Sequence, residues 1–107
     1  MTPTRRRGLS YDFVGDLWRW EARRELWTFV SLPLDASDEI AAIAGDQAGG
    51  WGSLRVDARV GATDFRTSIF PGGEGSGYML PVKRAVRDAE ALELGAPVSA
   101  TITLIDV

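Results

Sequence analysis

LRVDARVGATDFRTSI, residues 54–69, is the stretch of the sequence that decides the fold. Apolar and polar side chains alternate on both sides of Gly61-Ala62, which is the pattern of half-buried β-strands. Glycine in the first position of a two-residue turn indicates a type II′ β-turn, so the segment predicts an antiparallel hairpin. A slip of one residue would bury the charges, and the register is therefore well specified. The predicted pairs are Val60 with Thr63, Arg59 with Asp64, Ala58 with Phe65, and Asp57 with Arg66.

Four further runs of the sequence predict strands. They occupy residues 11–20, 26–32, 78–82 and 98–104, and Pro81 indicates an edge position or a strand end. Since few runs are apolar on both faces, a doubly wound parallel sheet is not expected, whereas a meander that closes on itself leaves no open edge. We therefore predict an all-β, mainly antiparallel fold: a small closed or nearly closed β-barrel of about six to seven strands with two short helices.

Two segments predict the helices. Residues 35–44 carry a small apolar face, with Ser37 or Asp35 as the candidate amino-terminal cap and Gly45 at the end. The second helix follows from an apolar stripe at positions i, i+3, i+4 and i+7, which is typical of an amphipathic helix. That stripe consists of Val82, Ala85, Val86 and Ala89.

Length and composition indicate one domain. The chain has 107 residues, 45% of them apolar and 25% charged, as in ordinary globular domains. No apolar run is long enough for a membrane helix, and no apolar signal core follows the basic start, so we expect a cytoplasmic protein without a membrane partner. We predict a disordered basic tail over residues 1–9 and a single β-barrel domain over residues 10–107. The net charge of −3 makes nucleic acid an unexpected partner, despite the run Arg5-Arg6-Arg7.

The sequence contains neither cysteine nor histidine. It therefore excludes disulfides, thiolate nucleophiles, Cys/His zinc sites and a Ser-His-Asp triad. Acid–base chemistry would fall to a carboxylate, tyrosine, lysine or arginine whose pKa burial has moved toward neutral. We expect no metal and no cofactor. Of the two classes of protein, we expect a binding protein in preference to an enzyme.

The order of these segments resembles a known bacterial family. The most specific pieces are RTSI at residues 66–69 and GYMLPVK at residues 77–83, within a match that runs from Tyr11 onward. The chain resembles the family called domain of unknown function 1905. This resemblance implies a small closed β-barrel with a helix packed against it, and it implies no established activity. Members often carry Gly-Asp before the last strand, where this chain has Gly95-Ala96.

The first candidate site combines a glycine-rich loop, residues 71–77, with the basic start of the second helix. Backbone amides of glycines can converge on an anion, although no Gly-Lys-Ser/Thr follows them as in a P-loop. The alternative is a flexible hairpin loop beside a solvated basic helix face. The candidate ligand-binding residues are Arg66, Thr67, Ser68, Gly73, Gly75, Tyr78, Lys83, Arg84 and Arg87, with Trp51 as a ring at the pocket mouth.

The second candidate site is the barrel interior, which the aromatic residues would line. A barrel of about eight strands has room for packed side chains or for one small ligand. The alternative is that the rings simply form the core. The aromatic set is Phe13, Trp18, Trp20, Trp27, Phe29, Trp51, Phe65 and Tyr78.

Three functions follow as hypotheses. The leading one is a non-enzymatic module that binds a small anionic or amphipathic ligand, or a partner protein, through residues 66–87. The first alternative is a cofactor-free enzyme with an apolar barrel pocket, in which Tyr78, Glu74 or Lys83 assists. The second alternative is a structural or protein–protein interaction domain. We expect a monomer or a homodimer, and a homodimer would pair through an open edge at residues 78–80 or through the last strand.

Overall fold

Strands dominate the part of the chain that the computed structural model describes, which comprises residues 5–20, 27–73 and 75–105. No helix in these ranges is long and apolar enough to cross a membrane. Two 3-10 turns, Gly45–Gln47 and Gly50–Gly52, follow the first helix. The strands are β1 (Arg5–Arg7), β2 (Ser10–Arg19), β3 (Thr28–Ser31), β4 (Leu54–Val60), β5 (Thr63–Pro71), β6 (Tyr78–Pro81) and β7 (Pro97–Leu104), and the helices are α1 (Leu34–Ala44) and α2 (Arg84–Glu90).

Six of the strands close into an antiparallel barrel in the order β2-β3-β6-β5-β4-β7, because β7 pairs with β2 as well as with β4. The predicted closed antiparallel barrel with two short helices is confirmed. The predicted meander is wrong, because β3 lies beside β6 rather than β4. The connections that contain α1 and α2 are long enough for the chain to skip two strands of the barrel each time.

The β4–β5 hairpin has the predicted register at all four pairs, from Val60 opposite Thr63 to Asp57 opposite Arg66. Gly61 takes a φ of +58°, which the first position of a type II′ turn requires. Both predicted ion pairs form on the outer face: Arg66 Nε lies 2.9 Å from Asp57 Oδ1, and an Arg59 nitrogen lies 3.5 Å from an Asp64 oxygen. The turn at Gly61 and the alternation of the sequence together thus predicted this hairpin correctly.

The barrel interior is occupied by the inward-facing side chains of its own strands. Along β4 every second residue is buried, and the same alternation runs along β7. The interior therefore forms a core rather than the ligand pocket of the second candidate site. Its members from the strands include Tyr11, Phe13, Leu17, Val30, Val56, Val60, Ile69, Tyr78, Leu80, Ile102 and Leu104, and the helices add Ala36, Ile40, Ala44 and Val86.

The strand edges differ from the sequence predictions. Residues 5–7, which the sequence placed in a disordered tail, form β1 along β2; residues 1–4 lie outside the described residues. This edge of β2 is available because β3 pairs only with Leu17–Arg19, at the other end. The open edge predicted at residues 78–80 is wrong, since β6 pairs with β3 and β5, and β7 is likewise paired on both sides.

The helix termini also correct two expectations. Ser37 does not cap α1, which begins at Leu34 without a side-chain cap; its buried hydroxyl accepts a hydrogen bond from the Tyr78 backbone N–H at 2.9 Å. The stripe predicted for α2 is only partly buried. Val82 and Val86 pack into the core, whereas Ala85 and Ala89 are exposed. Lys83 has extended backbone and α2 begins only at Arg84, so Val82 lies before the helix and is not part of its buried face.

Candidate functional site

A groove runs along the outer surface of the barrel over β3, β6 and β5. Phe29, Phe70 and Met79 line it, and each is the sequence neighbour of an inward-facing core residue. Because successive side chains of a strand point to opposite faces, these three point away from the core. The groove has a volume of about 800 Å³. Its lining consists of Trp20, Trp27, Thr28, Phe29, Thr67, Phe70, Pro71, Met79, Pro81, Val82, Lys83, Arg84 and Arg87.

The wall formed by the ends of β2 and β3 is aromatic. Phe29 is only 2% exposed on this outer face, because the rings of Trp18, Trp20 and Trp27 lie 5.2, 5.7 and 6.4 Å from its ring centre. Trp20 and Trp27 are themselves 38% and 42% exposed. Their backbones are joined by a hydrogen bond of 2.8 Å from the Trp20 N–H to the Trp27 carbonyl. We give the name aromatic floor to four of the groove-lining rings: Trp20, Trp27 and Phe29 of this wall, and Phe70 of β5.

The opposite wall is cationic. The Val82 N–H donates to the Thr28 carbonyl at 2.9 Å, which extends the β3–β6 pairing to the point where α2 begins. Lys83, Arg84 and Arg87 then line the groove, and we call them the cationic rim. Arg84 forms an ion pair of 3.6 Å with Asp88, but both side chains are largely exposed and the pair contributes little. No acidic residue of the described ranges lines the groove.

Arg87 is the most constrained member of the cationic rim. Its Nη1 donates to the Thr28 hydroxyl at 2.7 Å and to the Val82 carbonyl at 3.0 Å, and the side chain is half-buried. Both acceptors are neutral, and no carboxylate among the described residues pairs with it. A half-buried guanidinium without a counter-charge is costly, and an anion in the groove would offset that cost.

Comparison with known proteins assigns the chain to a family. The family model described as a domain of unknown function (DUF1905) matches residues 13–102. The chain belongs to the DUF1905 family. A comparison with curated proteins gives no match. The matched range includes every residue that lines the groove, from Trp20 to Arg87, so the groove lies within the DUF1905 domain itself.

The groove brings together four of the residues predicted from the sequence of this DUF1905 chain: Thr67, Lys83, Arg84 and Arg87. The other predicted residues lie elsewhere among the described residues or cannot be placed there. Arg66 and Ser68 belong to the outer face of the β4–β5 hairpin, where Arg66 pairs with Asp57. The indole of Trp51 lies outside the described part of the structure, and its backbone forms a 3-10 turn.

The glycines of the glycine-rich loop do not line the groove, although Pro71 at its start does. Gly73 and Gly75 are exposed, and two loop amides are already used: the Gly72 N–H donates to the Gly77 carbonyl at 3.0 Å, and the Ser76 N–H donates to the Gly73 carbonyl at 2.8 Å. Glu74, the carboxylate considered for the enzyme hypothesis, lies outside the described residues. The cationic rim therefore does not include these glycines.

Tyr78 belongs to the core rather than to the groove. Its side chain is 9% exposed and packs with the inward-facing residues. Burial raises the pKa of its phenol above the ordinary value of 10.0, so the ring stays neutral in the physiological range. The enzyme hypothesis named Tyr78 and Lys83 as assisting residues of an interior pocket. Tyr78 is instead a packed core residue, and Lys83 lines the outer groove.

The aromatic floor is the part of the site that sequence reasoning missed, because it placed Trp20, Trp27 and Phe29 in the barrel interior and gave Phe70 no role. The signal was nevertheless present in the alternation. In β2, Phe13 and Leu17 are buried in the core, and Trp18 and Trp20 fall in the opposite phase. In the second strand, Phe29 alternates with Val30 in the same way. A strand with large apolar residues on both faces predicts a second apolar surface outside the barrel.

Proposed function

We propose that this DUF1905 protein is a non-enzymatic binding module whose groove takes a small amphipathic anion. The apolar body of the ligand packs on the aromatic floor, and its anionic head group meets the cationic rim. The observation that carries the proposal is Arg87, which lines the same groove as two exposed indoles and has only neutral hydrogen-bond acceptors among the described residues. An amphipathic anion satisfies both walls, whereas a neutral apolar molecule satisfies only one.

The dimensions of the groove support a small molecule. Ligand pockets generally have volumes of roughly 300–1,000 Å³ and combine apolar walls with a few placed polar groups, and the groove measures about 800 Å³. An apolar body that removes on the order of 150 Å² of apolar surface from water contributes roughly 4 kcal/mol. A charge-assisted hydrogen bond from Arg87 adds roughly 1.5–3 kcal/mol, which corresponds to about 10- to 150-fold in affinity.

The test is a calorimetric titration of the whole chain with naphthoate, an aromatic carboxylate that fits both walls. Arg87→Met should weaken binding at least about tenfold, because it removes the constrained charge. Arg66→Met is the matched control: it removes a cation of the hairpin face that does not line the groove, and binding should be unchanged. Circular dichroism confirms that both variants are folded.

Two results would overturn the proposal. One is the absence of binding by the wild-type protein to naphthoate and to a straight-chain carboxylate of similar volume. The other is an equal loss of affinity in Arg66→Met and Arg87→Met, which would mean that general surface charge attracts the anion. Lys83→Met provides a further variant that leaves the Arg87 hydrogen bonds intact. It should weaken binding a few-fold, since Lys83 is an exposed part of the cationic rim.

A further inference from the structure

The contacts of Arg87 allow a more specific inference, which rests on the proposed function. We infer that Thr28 is a positioning residue that orients Arg87 to bind a carboxylate in a bidentate manner. The groove is then selective for aromatic or other apolar carboxylates over phosphates with the same body. Neither Thr28 nor a choice between these head groups follows from the proposed function itself.

Thr28 and Val82 form a rigid pair of acceptors at the end of the β3–β6 ladder. The Thr28 side chain is 2% exposed, and its hydroxyl donates to the Val82 carbonyl at 2.6 Å. The backbones of the two residues are joined by the 2.9 Å hydrogen bond from the Val82 N–H to the Thr28 carbonyl. A buried threonine with a satisfied hydroxyl has little rotational freedom.

Arg87 is fixed by these two acceptors. Its Nη1 donates to the Thr28 hydroxyl at 2.7 Å and to the Val82 carbonyl at 3.0 Å, so this nitrogen faces the pair of acceptors. The guanidinium is planar, and two contacts at one nitrogen set the orientation of the whole group. Its Nε–H and Nη2 hydrogens make no hydrogen bond to the described residues. The Nε–H and one Nη2 hydrogen lie on one edge of the guanidinium, with the spacing of the two oxygens of a carboxylate.

The remaining donors of the cationic rim do not complete a phosphate site. A phosphate monoester carries nearly two charges and three acceptor oxygens, and it needs several donors around it. Arg84 is largely exposed and only weakly held by Asp88, Lys83 is exposed on a flexible stem, and the exposed loop glycines Gly73 and Gly75 do not line the groove. One fixed guanidinium edge matches the two-oxygen head group better.

Three probes that share one body test this inference: naphthoate, naphthamide and naphthyl phosphate, each titrated by calorimetry into the whole chain. The wild-type protein should bind naphthoate at least several-fold more tightly than the other two. Thr28→Val removes the hydroxyl with little change in shape and should weaken naphthoate about tenfold, with naphthamide unchanged. Thr28→Ser keeps the hydroxyl and is the matched control, with affinities near wild type. In an Arg87→Lys background, Thr28→Val should cause no further loss.

The outcomes separate the two proposals. If neither naphthoate nor a straight-chain carboxylate of similar volume binds the wild-type protein, the proposed function fails. If naphthoate binds but Thr28→Val leaves its affinity unchanged, or weakens naphthamide equally, the positioning role is refuted and the binding function stands. Tighter binding of naphthyl phosphate would refute the carboxylate preference. Should Thr28→Val not fold, the NMR signal of the Arg87 Nε–H decides: it shifts with naphthoate and not with naphthamide, and equal shifts refute the inference.

Discussion

Substitution of Gly77 by alanine tests how closely the glycine-rich loop packs against α1. Gly77 is buried where the loop enters β6. A Cβ added there would lie 2.6 Å from the Leu32 carbonyl oxygen and would overlap the Ser37 hydroxyl. That hydroxyl accepts the buried hydrogen bond of the Tyr78 N–H at 2.9 Å. Gly77→Ala must therefore displace backbone, break this hydrogen bond, or do both.

The expected loss of stability combines two terms. Overpacking of a tightly packed site costs about 1–3 kcal/mol, and a buried N–H left without a partner costs about 1–3 kcal/mol. Because relaxation at one contact relieves the other, we expect the free energy of unfolding to fall by about 2–4 kcal/mol. For a domain of this size the midpoint of thermal unfolding should fall by roughly 10–25 °C.

Urea unfolding monitored by tryptophan fluorescence measures the effect. Gly73→Ala is the matched control in the same loop, because a Cβ at this exposed position meets nothing within 4 Å; its stability should lie within about 0.5 kcal/mol of wild type. In a Ser37→Ala background the cost of Gly77→Ala should be smaller, since the overlapping hydroxyl is absent. A Gly77→Ala variant as stable as wild type, or an equally destabilised Gly73→Ala, would refute the described packing.

Two other contacts and the burial of Tyr78 give further predictions. Glu90→Ala removes the acceptor of the 2.6 Å hydrogen bond from the Thr63 hydroxyl and should lower the free energy of unfolding by about 1–2 kcal/mol in urea; an unchanged midpoint would contradict this contact. Asp57→Asn weakens the exposed ion pair with Arg66. The free energy of unfolding, measured by thermal unfolding, should change by less than about 1 kcal/mol, and a larger loss would contradict an exposed pair. Burial raises the pKa of Tyr78 in the folded state, so the unfolded state loses this proton first and stability should fall as the pH rises past about 10. Urea midpoints between about pH 8 and pH 11 should fall less in Tyr78→Phe, and an identical fall would exclude this cause.

The β4–β5 hairpin could be predicted because local sequence patterns determine it. The placement of β6 could not, because it depends on partners that are distant in the sequence. The pairing of Asp57 with Arg66 depends only on the turn at Gly61 and on alternation within sixteen consecutive residues, both visible in the sequence. The position of β6 depends on which strands surround it. Pro81 indicated an edge position or a strand end; it is the last residue of β6, but this strand is not an edge because β3 and β5 cover it. Closure of the barrel decided that placement, and no local signal reports it.

The candidate site was predictable on its cationic side alone. Lys83, Arg84 and Arg87 are neighbours in the sequence, so their proximity follows from a short helix. The aromatic floor joins the ends of β2 and β3 to residues of β5 and β6, which are brought together only by the strand order. The Thr28–Arg87 contact spans 59 positions of the sequence, and nothing in the spacing of the residues indicates it.

An HSQC titration of the isotopically labelled protein with naphthoate tests the central claim most directly, because it reports where the anion binds. The account predicts that the indole N–H signals of Trp20 and Trp27 and the amides of residues 83–87 shift together and saturate at one dissociation constant. Amides of the core strands, such as those of Val56 and Ile102, should stay in place. Shifts confined to the loop around Gly73 and Gly75, or centred on the barrel interior, would contradict a binding site in the outer groove.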